Sequence, residues 1–215
     1  MGMTKCSTQI LLGRKSMDEL EADVRRIMMT DILPKPPWAD AGRTFYLLAA
    51  PRSSWATLWE DAEDAQSPWL HNLQPATRGL AEATGCTVLA MEVVDSDVAI
   101  CLLGHPGGED DLLVRGLADD LDCEPGEGKG NLAFWRSLLG LSKQNAKALQ
   151  KIWGKRYVCQ EGRLFAIAEL LGIDSEQMFP WPGEEEFPPD FDVRILRFGG
   201  RNGRGKLLRF PGADG

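Results

Sequence analysis

The stretch TVLAMEVVDSDVAICLLG, at residues 87–104, decides the fold. Two largely apolar runs, residues 88–94 and 98–103, flank the polar triplet Asp95-Ser96-Asp97. Both runs are rich in β-branched and aliphatic residues, and both are too short to form good helices. The pattern predicts a β-hairpin at the centre of a sheet. Because nearly every position is apolar, we expect both faces of that hairpin to be covered.

Two helices are predicted before the hairpin. Ser16 and Glu19 form a capping box at the start of an amphipathic stretch, which places the first helix there. The second begins at Ser67, which precedes a proline, and stops at Gly85. Residues 1–9 lack a helical or strand pattern, so we expect them to be disordered or to lie at an edge.

Further strands are predicted on both sides of the hairpin. Residues 45–50 and 55–59 have the composition of strands, and residues 112–114 add one more. Side chains two apart on a strand share a face, so Trp55 and Trp59 are expected on the same side of the sheet.

The second half of the chain is predicted to form helices followed by a terminal β-hairpin. Helices are predicted near residues 132–140, at 143–153 and at 160–171, and one more turn follows; their caps or stops are Asn131, Ser142, Gly172 and Asp174. Residues 191–198 and 206–210 are short alternating segments joined by a glycine-rich turn, which predicts a β-hairpin.

Together these elements predict an α+β fold. It has an antiparallel or mixed sheet with a central hairpin, packing helices, a helical C-terminal half and a terminal β-hairpin. With 215 residues, we expect a single domain over residues 1–179, with a helical subdomain at about 131–179. Residues 180–215 are set apart as an extended, acidic and proline-rich segment followed by the basic hairpin.

Two motifs resemble those of a loose group of uncharacterised bacterial α+β proteins. One is the D-S-D-V hairpin at residues 95–98, preceded by the helix end LAEATG at residues 80–85. The other is the later helix RLFAIAELLGI at residues 163–173, of the type R-L-x-x-I-A-x-L-L-G-I. The resemblance implies an α+β fold and carries no known activity, so it assigns no functional residues.

Charge is unevenly distributed along the chain. The formal net charge is −8; residues 191–215 carry +4 and the other 190 residues carry −12. An acidic body argues against nucleic acid or an anionic membrane as the main partner and favours a basic protein.

The five cysteines indicate a reducing compartment. Their number is odd and no C-x-x-C pair occurs, so neither a zinc knuckle nor a redox pair is predicted. The apolar run at residues 10–12 is too short for a signal peptide, and no stretch reaches the length of a membrane span. We therefore expect a cytoplasmic protein without a cofactor.

The preferred function is that of a non-enzymatic, soluble interaction protein that acts through its acidic surface. Trp181 lies between two prolines, beside Glu184, Glu185 and Glu186, and an exposed aromatic residue next to acids is a suitable anchor for a basic partner. Packing of Trp181 on its own domain is the equal alternative. Immunity-like neutralisation of a basic toxin or nuclease is one form that such a function takes.

A small hydrolase is the first alternative. Its weak catalytic candidates are Asp95, Asp97 and His105, at the two ends of the second hairpin strand. These aspartates, with acids at 109–111, can also be imagined as a metal site, but turn formation explains them better. No metal site is therefore predicted.

Binding of RNA or phosphate by the basic C-terminal hairpin is the second alternative. Arg201, Arg204 and Lys206 are the candidate residues, and nearby phenylalanines could stack on bases. Residues 200–206 fit the start of a phosphate-binding loop, but Leu207 stands where magnesium binding needs Ser or Thr. Neutralisation of the acidic body by this hairpin is the favoured explanation of its charge.

Overall fold

A computed structural model describes residues 5–28, 43–61, 73–116, 128–179 and 187–198. The strands are β1 (Lys5–Leu11), β2 (Arg43–Ala49), β3 (Trp55–Asp61), β4 (Thr87–Val94), β5 (Val98–Gly104), β6 (Asp110–Gly116) and β7 (Asp192–Phe198). The helices are α1 (Met17–Met28), α2 (Leu73–Thr84), α3 (Leu132–Leu138), α4 (Lys143–Gly154), α5 (Glu161–Leu171) and α6 (Ser175–Met178).

The seven strands form one antiparallel sheet in the order β6-β5-β4-β1-β3-β2-β7. Its centre, β4-β1-β3-β2, is built by the chain order β1-α1-β2-β3-α2-β4, which is the split β-α-β, or ferredoxin-like, topology. Strands β5 and β6 extend this unit beyond β4, and β7 extends it beyond β2. The predicted α+β architecture is confirmed.

The hairpin predicted from residues 87–104 forms as β4 and β5. Val94 pairs with Val98, and the polar triplet makes the bend with Asp95 at φ 48° and Ser96 at φ 62°. Asp and Ser tolerate this left-handed conformation, which explains their selection at a tight bend. Residues 88–93 of β4 are buried without interruption, as expected for a strand covered on both faces.

The expectation of a disordered or edge segment was wrong for residues 5–9, because they belong to β1, the middle strand of the sheet, while residues 1–4 lie outside the described residues. Ser7, Thr8 and Gln9 are buried there. The strand was missed because strand prediction from sequence relied on runs of apolar residues, and these three residues are polar. The Gln9 side chain is satisfied internally: its Nε2 donates to Ser7 Oγ at 3.0 Å, and its Oε1 accepts from Thr57 Oγ1 at 2.6 Å. Because these polar groups are hydrogen-bonded to one another, they can be buried in a central strand without a large desolvation penalty.

One face of the sheet, called face A, packs against α1 and α2. Its core includes Ile10, Phe45 and Leu47 from the strands, with Leu20 and Leu80 from the two helices. The predicted capping box starts α1: the backbone N–H of Ser16 donates to the Glu19 carboxylate at 2.8 Å, and the backbone N–H of Glu19 donates to Ser16 Oγ at 3.3 Å. The predicted start of α2 at Ser67 lies outside the described residues.

The opposite face, called face B, packs against α3 to α6 over strands β4 to β6. Its core joins Met91 and Leu103 of the sheet with Trp135, Leu149 and Ile167 of the helices. All four helices begin or end at predicted caps; Asn131, Ser142 and Asp174 accept hydrogen bonds from the first turns of α3, α4 and α6, and Gly172 ends α5 in the left-handed conformation.

The first strand of the predicted terminal hairpin is present as β7. It pairs with β2 in the main sheet, from Asp192 opposite Ala49 to Phe198 opposite Arg43. The second predicted strand, residues 206–210, lies outside the described residues, as does most of the acidic segment at residues 180–186.

Candidate interaction surface

A row of large apolar side chains crosses face B at the β7 end of the sheet. Tyr46 of β2 pairs with Trp59 of β3 on one side and with Ile195 of β7 on the other. Trp55 and Trp59 do share this face, as their spacing predicts, because Trp55 belongs to the face B core. The register of three strands therefore aligns the row.

A third aromatic ring joins this row from the chain just before β7. The ring centroid of Tyr46 lies 5.4 Å from that of Trp59 and 5.4 Å from that of Phe187, both in tilted contacts. All three rings are partly exposed, and Ile195 is 46% exposed. We call Trp59, Tyr46, Phe187 and Ile195 the aromatic row.

The helices of face B stop short of the aromatic row. Short helix α6 is anchored beside it by the buried Gln177, whose Oε1 accepts from the Ala50 N–H at 3.0 Å and whose Nε2 donates to the Trp55 carbonyl at 2.9 Å. The indole N–H of Trp55 donates to the Leu171 carbonyl at 3.0 Å. Among the described residues, the apolar core beneath α3 to α6 contains Trp55 but no member of the aromatic row.

Acidic residues follow or precede the aromatic row along the chain. Trp59 is followed directly by Glu60 and Asp61, and then by Glu63 and Asp64. Phe187 is preceded directly by the three glutamates at residues 184–186. Trp181 and Glu184, Glu185 and Glu186, the residues predicted to bind a partner, lie outside the described residues, but their sequence leads straight into Phe187.

The residues of the predicted hydrolase site are not brought together. Asp95 and Asp97 are exposed at the bend, where β5 begins, while His105 follows the last residue of β5. At strand rise, the steps along the chain from Asp97 to His105 put about 26 Å between the two positions. The bend instead contacts α5, since Ser96 Oγ donates to Glu161 and the Ser96 carbonyl accepts from the Gln160 N–H at 2.9 Å.

Asp110 and Asp111, at the start of β6, connect the sheet to helices by hydrogen bonds. Asp110 accepts from Arg78 Nε at 2.6 Å and from Gln74 Nε2 at 2.9 Å, which ties β6 to α2. Asp111 accepts from the Trp135 indole at 2.7 Å and from the Asn131 backbone N–H at 2.6 Å, which ties β6 to α3. Within the described ranges, no three His, Cys, Asp or Glu side chains are placed to hold a metal ion.

Two buried groups on the hairpin are shifted toward their neutral forms. Burial raises the pKa of the Cys101 thiol to about 12, partly offset by Arg163 and Arg115. Burial also raises the pKa of Glu92 to about 8. A thiol with so high a pKa is not a nucleophile at neutral pH, so Cys101 acts as a core residue.

An open cleft lies beyond α6, between the β2–β3 turn and α5. Its volume is about 560 Å³. Phe165 and Ala168 form an apolar wall, and Arg52, Glu169 and Asp174 place one positive and two negative side chains around it. None of the sequence-predicted site residues lines this cleft.

The candidates for phosphate binding, Arg201, Arg204 and Lys206, lie outside the described residues. In the part of the chain that the structure describes, no helix has the length and apolar character needed to cross a membrane. The described cysteines, Cys6, Cys86, Cys101 and Cys159, carry free thiols.

Sequence reasoning found one of the four members of the aromatic row, Trp59, and missed the other three. The Trp55–Trp59 spacing was a usable signal for β3, whereas Tyr46, Phe187 and Ile195 join it only through pairing between distant strands. No protein-family model, curated protein or solved structure matches this chain.

Proposed function

We propose that this chain is a non-enzymatic interaction protein that binds a basic protein through the aromatic row. The observation that carries the proposal is a contiguous set of three rings and one aliphatic side chain on a sheet face, partly exposed beside a helical layer that stops short of it. Partly exposed aromatic clusters of this kind are typical of protein interfaces, where Trp and Tyr supply most of the binding energy.

The acidic residues beside the aromatic row favour a basic partner. Acidic runs at residues 60–64 and 184–186 adjoin the row in sequence, so the chain carries its negative charge directly beside two of the rings along the sequence. A basic rim is attracted to such a surface and steered toward it, and a nucleic acid is repelled. Neutralisation of a basic toxin or nuclease, as immunity proteins perform it, is one form of this activity.

Site-directed photo-crosslinking tests the proposal. A benzophenone amino acid replaces Ile195 in the aromatic row and, as the matched control, Val158, an exposed aliphatic residue on the α4–α5 loop that is 97% exposed. After irradiation in cells, we expect an adduct to one protein of high isoelectric point at position 195 and none at position 158. Its yield should fall as salt rises, because charge steers the encounter.

The substitution Trp59→Ser in the position-195 probe should abolish the adduct while the chain stays folded by circular dichroism. The same adduct at both positions, an acidic partner, or an adduct that survives Trp59→Ser would each overturn the proposal. So would the absence of any adduct at position 195.

A further inference from the structure

A second charged surface, of opposite sign, lies on the helical layer. Residues 129–160 contain seven Lys or Arg and no Asp or Glu, in a chain whose net charge is −8. They include all of α3 and α4. Charge totals over residues 1–190 conceal this segment, because acids elsewhere outweigh it.

Three of these residues form a straight stripe along α4. Lys143, Lys147 and Lys151 are spaced four residues apart, so they extend for about 12 Å along one side of the helix, within a sector of about 80°. All three are exposed, as are Lys155 and Arg156 just beyond the helix end. We call Lys143, Lys147 and Lys151 the lysine stripe.

The lysine stripe has no acidic partner among the described residues. The ion pairs of the described chain involve α1, α2, β6 and β7, and none includes a residue of α4. The remaining exposed side chains of α4 are Gln144 and Gln150. The outward side of α4 therefore offers only cations and amide groups.

From this surface we infer that α4 binds the phosphate backbone of a nucleic acid. Lysines and amides are the side chains that contact phosphates and sugars, and they need no apolar anchor to do so. A helix of this length with one cationic side also fits along the major groove of B-form DNA, whereas the major groove of A-form RNA is deep and narrow. The site is distinct from the aromatic row and goes beyond the function proposed for it.

Two other polyanionic partners fit less well. Protein interfaces are depleted in lysine and depend on Trp, Tyr or Arg anchors, which α4 does not expose. Helices that lie on membranes insert their apolar side, whereas Ala146, Leu149 and Trp153 of α4 are buried in the core of face B.

The test is fluorescence anisotropy of the full chain with a labelled 20-base-pair duplex, once as DNA and once as RNA. Binding should weaken as salt rises, because phosphate contacts release counterions. The double variant K147Q/K151Q should weaken binding on the order of tenfold at about 50 mM salt and flatten the slope of log K against log salt by about 2. The DNA and RNA arms identify which source of phosphodiester is preferred.

The matched control is R14Q/R52Q, which removes the same charge from exposed residues away from α4. It should bind as the unmodified chain does. An equal loss in both variants would overturn the inference by showing that only total charge matters, and so would an absence of duplex binding at low salt.

Three further results would also overturn it. One is binding that R201Q/R204Q/K206Q abolishes and K147Q/K151Q leaves intact, which would assign the site to the basic terminal segment. Another is competition by poly-glutamate as strong as by unlabelled duplex. The third is binding only to phosphatidylserine vesicles, lost in Val158→Ser, the exposed apolar residue of the adjoining loop.

Discussion

Leu113 and Ile195 stand at opposite ends of one row of side chains that crosses face B, yet Leu113 is 1% exposed and Ile195 is 46% exposed. The row runs from Leu113 on β6 through Cys101 and Met91, and beyond β1 it continues as Trp59 and Tyr46 to Ile195 on β7. The strands are equally apolar at both ends. What separates a buried core from an exposed surface is the position of the helical layer over β4 to β6.

The two edge strands differ in the same way. The outer edge of β6 is covered by residues 128–130: the Val114 N–H donates to the Gly128 carbonyl at 2.8 Å, and the Gly130 N–H donates to the Leu112 carbonyl at 3.1 Å. Among the described residues, β7 has a neighbour only on its inner side. Among the described residues, a segment therefore covers the outer edge of β6 and none covers that of β7.

The largest loss of stability is expected for Trp135→Ala, which removes a fully buried tryptophan from the covered half. Trp135 is fully buried, packs edge-on against Trp153 at 5.3 Å and donates to Asp111. We expect the free energy of unfolding to fall by about 3–5 kcal/mol, measured by urea denaturation. Tyr46→Ala in the aromatic row is the counterpart, and a loss as large as that of Trp135→Ala would contradict the comparison.

The pH dependence of stability reports how well water is excluded from the other face of β4. Glu92, on β4, faces face A and is 3% exposed, and burial raises its pKa to about 8 from an ordinary 4.5. The folded protein thus keeps this proton at pH values where the unfolded chain has released it. Stability is therefore fully present below about pH 4.5 and decreases as the pH rises toward 8, by about 2–4 kcal/mol from this group.

Glu92→Gln should remove that decrease between pH 5 and 8, as judged by urea titrations at several pH values. Glu109→Gln, at an exposed position in the β5–β6 turn, should leave it in place. An unchanged pH profile in Glu92→Gln would show that water reaches face A at β4.

The boundary between the two halves is tested by Gln177→Ala. Both polar atoms of this fully buried side chain are bonded to backbone groups at the β2–β3 end, so its removal leaves the Ala50 N–H and the Trp55 carbonyl without these partners. We expect a loss of about 1–3 kcal/mol. Faster hydrogen exchange at the Ala50 amide would locate the effect, and exchange unchanged at that amide would speak against the tether.

The smallest effect is expected for Ile195→Ser in the aromatic row. Because Ile195 is almost half exposed, its loss should change the free energy of unfolding by no more than about 0.5 kcal/mol. Leu113→Ser, at the other end of the same row, should cost several times more in parallel urea titrations. A large loss at position 195 would mean that the open half is part of the core.

The covered half was largely predictable from sequence. Strands β4 and β5 carry their own bend, and α3 to α6 carry their own caps, so each signal lies within a few residues of what it specifies. Local patterns of this kind can be recognised in one sequence, because every residue that forms the pattern lies within the same short segment. The hairpin, the helices and their limits follow from them.

The middle strand and the aromatic row were not predictable for a common reason. Gln9 is tolerated in β1 because Thr57, 48 residues away, donates to it, and Tyr46 meets Ile195 across about 150 residues of chain. Such pairings are specified by the whole sheet. The hydrolase candidates failed to converge for the same reason: one strand holds Asp97 and His105 apart along its full length.

The basic segment at residues 129–160 has a consequence for the molecule in solution. Six of its seven positive charges lie on α3, on α4 or on the two residues after α4, and the residues outside the segment together carry −15. Positive charge collected on α3 and α4 attracts anionic groups to that part of the molecule. Near an anionic surface, encounters that present these two helices are therefore favoured, and the preference is lost when salt screens the field.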